Sequence, residues 1–150
     1  MRHGTAAAVQ HVMAGLSGLR LHPDVVDGVR ALKAVGMRLV TLSNGGPDLA
    51  ERLFTAAGIR DQFDAVLSVA GASLWKPARG AYEHAAAAAQ VATADMLLVA
   101  VHPWDVHGAA KAGLRTAWLN RSGSTYPSYF SRPEFTLADL TTLPIALNAH

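Results

Sequence analysis

Residues 96–121 have the sequence MLLVAVHPWDVHGAAKAGLRTAWLNR, in which two apolar segments flank a stretch with helical periodicity. The first segment, 96–101, is an uninterrupted apolar run, which is typical of a strand covered on both faces. The pattern then predicts a helix over 104–112 that ends at Gly113, and a second strand over 116–119. A strand, a helix and a strand in this order predict two parallel strands joined by a right-handed crossover.

The same alternation of helices and strands occupies the chain from Pro23 onward. Predicted helices end at Gly36, Gly58 and Gly113, because glycine readily adopts the left-handed conformation that terminates a helix. The remaining predicted elements are helices beginning at Pro23 and Pro47, strands over 37–42 and 63–69, a helix over 78–90, a short strand near Phe135 and a final helix or turn over 137–147. We therefore expect an α/β fold with a mostly parallel sheet.

The amino-acid composition disfavours several classes of protein. The chain has 150 residues, which suits one domain, and it is 51% hydrophobic and 16% charged, which disfavours disorder. Its net charge is only +2 and it has no run of Lys or Arg, so nucleic-acid binding has little support. With no cysteine, the chain has no disulfide, thiolate metal site or cysteine nucleophile, which is compatible with a cytoplasmic protein. No apolar run approaches the ~20 residues of a membrane helix.

Polar side chains follow the first predicted strand at the point where it ends. Ser43 and Asn44 precede two glycines there, and the amides of the next helix face the same corner, which suits recognition of an anion. The alternative is that these side chains cap the following helix within an ordinary turn. Active sites of parallel sheets lie beyond the carboxyl ends of the strands, so both interpretations stay open here.

Charged side chains follow the next two predicted strands. Lys76 lies in the loop after the second strand, where it could place an ammonium beside a carboxylate or simply be solvated, and Tyr82 could reach the same cleft. Asp105 lies in the first turn of a predicted helix, where it could cap the helix or orient Lys76. His102 and His107 flank Asp105, but this spacing does not place the three groups on one helical face, which disfavours a metal site.

Several common catalytic motifs are absent from the sequence. Neither GxGxxG nor a P-loop pattern occurs, which disfavours a dinucleotide or P-loop nucleotide site. The GxSxG pattern of α/β serine hydrolases is missing as well. The chemistry of this chain is therefore expected to depend on the loop residues described above.

Taken together, these loops resemble the haloacid dehalogenase superfamily, and most closely its type II branch, the (S)-2-haloacid dehalogenases. The resemblance covers roughly residues 21–146, and its most discriminating part is the pattern WDxxGAxxAGxRTAW. The residues that carry it are Ser43 and Asn44, Lys76 and Pro77, Tyr82, and 102–121. It implies a three-layer, Rossmann-like core.

The resemblance implies hydrolytic dehalogenation of short (S)-2-haloalkanoic acids to 2-hydroxy acids, with neither a metal nor another cofactor. In the family, an aspartate on the first strand attacks C2, the halide leaves with inversion, and water hydrolyses the resulting ester. By resemblance, Ser43 would hold the substrate carboxylate and Asn44 would help to receive the halide. Lys76 and Asp105 would be catalytic: Lys76 would pair with the nucleophile, and Asp105 would orient Lys76 or the hydrolytic water. Tyr82 would support that region.

Two departures from the family pattern precede Trp104. The family usually carries Ser and Asn where this chain has Ala100 and His102, and His102 could still donate a hydrogen bond to the substrate. Val101 stands where metal-dependent relatives tend to carry an acidic ligand. This substitution disfavours a magnesium-dependent phosphatase of the same superfamily.

The larger departure is at the beginning of the sequence. The family opens with the strand that bears the nucleophilic aspartate and continues into a helical cap, whereas the first acidic residue here is Asp24, at a predicted helix start. By resemblance, residues 1–20 are a remnant of the cap and 21–150 are the core domain. The nucleophile strand, which in the family lies between the strands ending here at Leu42 and Val101, is expected to be missing. Its removal would leave two unpaired edges facing each other.

Two hypotheses of function follow. The first is a hydrolase of the dehalogenase family that acts on a small 2-haloacid and is inactive as this truncated chain. The second is a non-catalytic module that binds a small carboxylate or a partner chain. Family members are often dimers, so a homodimer is a further expectation, whereas neither nucleic acid nor a membrane is expected as a partner.

Overall fold

Helices and strands alternate along the computed structural model, which describes residues 18–149 together with Gln10 and Gly15. The helices of this part of the chain are α1 (Val25–Ala34), α2 (Pro47–Ala56), α3 (Arg79–Ala89), α4 (Pro103–Lys111) and α5 (Leu143–Asn148). The strands are β1 (Val40–Ser43), β2 (Ala65–Ser68), β3 (Leu97–Ala100), β4 (Arg115–Leu119) and β5 (Phe135–Leu137). The predicted cap remnant, 1–20, lies almost wholly outside the described residues.

The strands form two parallel sections. In the first, β1 pairs with β2, with Val40 opposite Ala65 and Ser43 opposite Ser68. In the second, β4 lies between β3 and β5 and is parallel to both. Within the part of the chain that the structure describes, β1 and β3 are not hydrogen-bonded to each other. The prediction of an α/β fold with a parallel sheet is confirmed.

Glycines end the helices as the sequence predicts. Gly36, Gly58 and Gly113 have φ angles of 83°, 66° and 92°, in the left-handed region that other residues rarely adopt. Each glycine turns the chain from a helix toward the next strand. Within each sheet section the strands are parallel, so their carboxyl ends lie at one edge of that section.

Two apolar clusters hold the two sheet sections together. The larger cluster includes residues of α1, α5 and β4, and Leu39, Leu97 and Val99 pack against it. The smaller cluster is formed by residues of α3 and α4, and Leu42 and Leu98 pack against it. Because successive residues of a strand point to opposite faces, Leu97 and Leu98 show that the clusters lie on opposite faces of β3. Helices therefore cover both faces of the sheet.

The apolar strand β3 is less buried than its sequence suggests. All four of its residues, Leu97–Ala100, are only half-buried, and Val101 is 41% exposed. In β4, by contrast, the four residues 116–119 are all buried, because β4 has a strand on either side. Among the described residues β3 is hydrogen-bonded to β4 alone, so one of its edges has no strand partner there.

Asp24 connects the beginning of α1 with the end of the sheet. It stands at the N-cap position without capping its own helix; its Oδ1 accepts a hydrogen bond from Arg121 at 2.6 Å and its Oδ2 accepts one from the Leu140 amide at 2.7 Å. Burial by itself raises the pKa of Asp24, but the hydrogen bonds from Arg121 and Leu140 and the charge of Arg121 outweigh burial and lower this pKa.

We expect Asp24→Asn to lower the free energy of unfolding by about 1–3 kcal/mol at pH 7, because the amide replaces a charge-assisted acceptor. A carboxyl whose folded-state pKa is depressed stabilises the fold above its unfolded pKa, and this stabilisation is lost as the pH falls through the folded value. Urea unfolding of both proteins between pH 7 and pH 3 checks this, and the difference between them should shrink below about pH 4. A difference that grows on acidification would contradict the prediction.

Candidate active site

An ion pair between Lys76 and Asp105 lies at the carboxyl ends of β2 and β3. Lys76 follows β2 in a loop, and Asp105 lies in the first turn of α4, directly after β3. The Lys76 Nζ is 2.6 Å from the Asp105 Oδ2, and the side chains of the two residues are only 11% and 5% exposed. Such a pair is weakly screened by water and salt, so each charge depends on the other.

Tyr82 of α3 is hydrogen-bonded to the second oxygen of the Asp105 carboxylate. Its hydroxyl donates to the Asp105 Oδ1 at 2.7 Å, and the tyrosine side chain is fully buried. Burial, reinforced by the hydrogen bond to Asp105 and by the charge of that carboxylate, raises the pKa of Tyr82 well above its usual range, so the hydroxyl stays protonated and remains a donor. With both oxygens engaged, Asp105 is arranged to orient Lys76.

Asn44 fixes the backbone of the same lysine. Its Oδ1 accepts a hydrogen bond from the Lys76 amide at 2.9 Å, and its Nδ2 donates to the Lys76 carbonyl at 3.2 Å. The tip of β1 is thereby clamped to the loop that follows β2. We refer to Asn44, Lys76, Tyr82 and Asp105 as the Lys76 cluster.

Ser43 lies beside the Lys76 cluster, but its side chain is hydrogen-bonded within the turn that follows β1. Its Oγ accepts a hydrogen bond from the Gly45 amide at 2.9 Å, while Ser68 at the end of β2 donates to the Gly45 carbonyl at 2.8 Å. The hydroxyl of Ser43 keeps its own proton for donation, so the turn and a bound anion do not compete for it.

Gly108 of α4, which sequence reasoning did not single out as a site residue, lets α4 approach the Lys76 cluster. A Cβ at this position would lie 2.5 Å from the Cβ of Pro77 and 2.8 Å from the Tyr82 hydroxyl. Only glycine allows the helix to pack this close to the residue that follows Lys76. An isolated glycine inside a predicted helix was the available signal, since such a residue weakens the helix unless packing requires it.

Neither of the two histidines that flank Asp105 has a recorded contact with the Lys76 cluster. His102 is exposed, and its ring stacks on Trp104 with a centroid separation of 5.5 Å. The Nδ1 of His107 accepts a hydrogen bond from the Ser131 amide at 3.0 Å. Among the residues that the structure describes, no three His, Asp or Glu side chains converge as metal ligands.

Exposed apolar side chains lie close in sequence to Lys76 and Asp105 of the Lys76 cluster. Leu74 and Trp75, which precede Lys76, are 49% and 69% exposed, and Val101 and Trp104, on either side of the β3–α4 junction, are 41% and 36% exposed. Aromatic and aliphatic side chains around a few polar groups are typical of a site for a small organic ligand. None of the helices within residues 18–149 has the length and apolar character needed to cross a bilayer.

Other proteins resemble this chain in both sequence and fold. A sequence model described as haloacid dehalogenase-like hydrolase matches residues 3–113. The (S)-2-haloacid dehalogenase of Pseudomonas sp. strain YL is 36% identical over 124 residues, which are 81% of this chain and 53% of that protein. The chain spans about half the length of the curated relatives it matches.

Solved structures give the same result. An L-2-haloacid dehalogenase that is 32% identical superposes with a TM-score of 0.84 over 99% of this chain and 63% of its own. The L-2-haloacid dehalogenase of Xanthobacter autotrophicus, solved with chloropropionic acid covalently bound, is 27% identical and has a TM-score of 0.79, over 89% of this chain and 63% of that chain. More than a third of each solved chain thus lies outside the matched region.

Proposed function

This chain belongs to the haloacid dehalogenase-like hydrolases, and we propose that the Lys76 cluster is part of an active site that dehalogenates short (S)-2-haloalkanoic acids to 2-hydroxy acids. The observation that carries the proposal is the buried pair of Lys76 and Asp105 at the carboxyl ends of the strands. Asn44 and Tyr82 hold this pair in one geometry, which is what a preorganised site requires.

The reaction needs a carboxylate nucleophile beside the Lys76 ammonium. That carboxylate forms a C–O bond at C2 of the substrate while the carbon–halogen bond breaks, and the halide leaves with the bonding electron pair. Water then attacks the carbonyl of the ester, which releases the 2-hydroxy acid and regenerates the carboxylate. Lys76 keeps the nucleophile ionised in a dry pocket, and Asp105 keeps Lys76 in place.

The remaining residues bind the substrate in this proposal. Ser43 donates its hydroxyl proton to the substrate carboxylate, and the exposed His102 donates a further hydrogen bond. Asn44 uses one amide hydrogen for the Lys76 carbonyl, which leaves the second for the departing halide. Asn44 thereby combines halide binding with positioning of Lys76.

We infer that the nucleophile comes from polypeptide outside residues 18–149. In the described part of the chain, Asp105 is the carboxylate that contacts Lys76, and both of its oxygens are engaged by Lys76 and Tyr82. Asp24 is engaged as well, by Arg121 and Leu140. A carboxylate held in this way is a poor nucleophile, because attack would require it to give up its hydrogen bonds.

We therefore expect the purified chain alone to release no halide from (S)-2-chloropropionate above the rate in buffer. Chloride release at neutral pH measures this, with the Pseudomonas sp. strain YL enzyme as the positive control. Chloride release that depends on the chain and is abolished in Lys76→Met would show that the described residues already contain a nucleophile.

The alternative function is a non-catalytic module that binds a small carboxylate. The Lys76 ammonium favours it, because Asp105 accepts from one of its three hydrogens and two can face a ligand. Calorimetric titration of the purified chain with propionate tests the module. The module requires binding that is weakened in Ser43→Ala, and the absence of binding removes it.

A further inference from the structure

A cavity lies between β5 and the loop that leads into this strand. Its volume is about 380 Å³, within the roughly 300–1,000 Å³ that is typical of sites for small molecules. Residues 125–128, 132, 133 and 136 line it. Residue 136 belongs to β5, the others belong to the loop, and none of them belongs to the Lys76 cluster. We call this space the β5 cavity.

Three rings form the apolar wall of the β5 cavity, those of Tyr126, Pro127 and Pro133. The Tyr126 hydroxyl donates a hydrogen bond to the Ser131 carbonyl at 2.9 Å. The ring of Tyr126 also meets the ring of Trp118 edge-on, with a centroid separation of 4.9 Å. Because these contacts fix the tyrosine ring and each proline restricts its own backbone, the wall is formed before a ligand binds.

The loop that carries this wall is also attached to α4. The Nδ1 of His107 accepts a hydrogen bond from the Ser131 amide at 3.0 Å, and the His107 ring packs against Phe130 with a centroid separation of 5.0 Å. Ser131 directly precedes Arg132, so this contact holds the backbone of a residue that lines the β5 cavity. A ligand therefore does not have to order the loop when it binds.

Arg132 supplies the positive charge of the β5 cavity. Its side chain is exposed, and in the described part of the chain no carboxylate forms an ion pair with it. The acid that follows it most closely in sequence, Glu134, is bound by Arg115 through hydrogen bonds of 2.6 Å and 2.9 Å. The planar guanidinium of Arg132 therefore keeps its N–H donors for a ligand, and this fork matches the two oxygens of a carboxylate.

Three hydroxyl groups complete the polar side of the β5 cavity. They belong to Thr125, Ser128 and Thr136, and each can donate a proton to an anion. No aspartate or glutamate is among the residues that line the cavity, so nothing in its wall repels a negative charge. A carboxylate accepts through both oxygens and can therefore bind Arg132 and these hydroxyls together.

We propose that the β5 cavity binds a small organic carboxylate that carries one apolar ring. The carboxylate pairs with Arg132 and accepts hydrogen bonds from the hydroxyls, while the ring packs against Tyr126, Pro127 and Pro133. A short aliphatic acid leaves this apolar wall uncovered, and an inorganic anion lacks an apolar part altogether. The site is separate from the Lys76 cluster, and its existence does not depend on the proposed dehalogenation.

Titration of the full, ¹⁵N-labelled chain with benzoate, followed by nuclear magnetic resonance, tests the β5 cavity. We expect saturating shifts of amides within 125–136, and binding about tenfold tighter than that of propionate. Benzamide has the ring without the charge and should give no saturating shifts. Arg132→Gln should weaken benzoate binding about tenfold or more, since a hydrogen bond to a charged group is lost. The matched control is Arg30→Gln, an exposed arginine of α1 outside the cavity, which should change nothing.

Three results would overturn the proposal. Benzoate shifts confined to Ser43, Gly45 and Lys76 would place the carboxylate at the Lys76 cluster instead. Equal weakening in Arg132→Gln and Arg30→Gln would show general attraction to a positive chain rather than a site. Equal shifts with benzamide or inorganic phosphate would contradict the assigned class of ligand. None of these results bears on the proposed function, because no residue that lines the β5 cavity takes part in it.

Discussion

Asp105→Ala is expected to lower the free energy of unfolding by about 3–5 kcal/mol, the cost of removing one partner from a buried ion pair. The substitution leaves the Lys76 ammonium without its carboxylate and the Tyr82 hydroxyl without its acceptor, and both groups lie in a largely buried site. Because a domain of this size has only about 5–15 kcal/mol of stability in total, the variant should be close to unfolding. Urea denaturation at pH 7 measures the change.

Two comparisons separate the buried pair from a general effect of charge removal. Glu83→Gln breaks the exposed pair between Arg79 and Glu83 on α3 and should change stability by less than about 0.5 kcal/mol. The double variant Lys76→Met with Asp105→Leu removes both charges and should recover most of the loss. If Asp105→Ala costs no more than Glu83→Gln, the ion pair does not organise this site.

The fold was predictable because its signals are local. Apolar runs of strand length, apolar residues at helical spacing, and glycines at Gly36, Gly58 and Gly113 each depend on a few neighbouring residues. The meeting of Lys76 with Asp105 was predictable in outline, because parallel strands deliver the residues that follow them to one edge.

The details of the site were not predictable in the same way. The sequence suggests an anion corner or a turn at Ser43 and Asn44, whereas the structure uses the Asn44 amide to clamp the Lys76 backbone across 32 residues of sequence. Such a contact depends on how two loops are placed relative to each other, and the sequence of neither loop predicts that placement. The partial exposure of β3 was not predictable either. An apolar run indicates that a strand is covered on both faces, but it does not show which strands lie beside it.

Gly108→Ala is expected to destabilise the fold by about 1–3 kcal/mol, although alanine is the better helix former. The new Cβ would lie 2.5 Å from the Cβ of Pro77 and 2.9 Å from the carbonyl oxygen of Pro77. A backbone carbonyl and a proline ring cannot move aside without displacing the neighbouring Lys76. The loss should therefore appear in urea unfolding, together with weaker binding of any carboxylate that Lys76 holds.

Gly80→Ala in α3 is the matched control, because it also adds a methyl group to a helix at a short contact. The Cβ there would lie 2.6 Å from the Cδ1 of Leu74, which is the far end of a flexible side chain that is 49% exposed. Leu74 can rotate into solvent, so the higher helix propensity of alanine should leave stability unchanged or raise it by up to about 1 kcal/mol. If Gly108→Ala and Gly80→Ala lower the free energy of unfolding equally, this explanation is wrong. The mobility of the neighbouring atom would then not determine how much stability is lost.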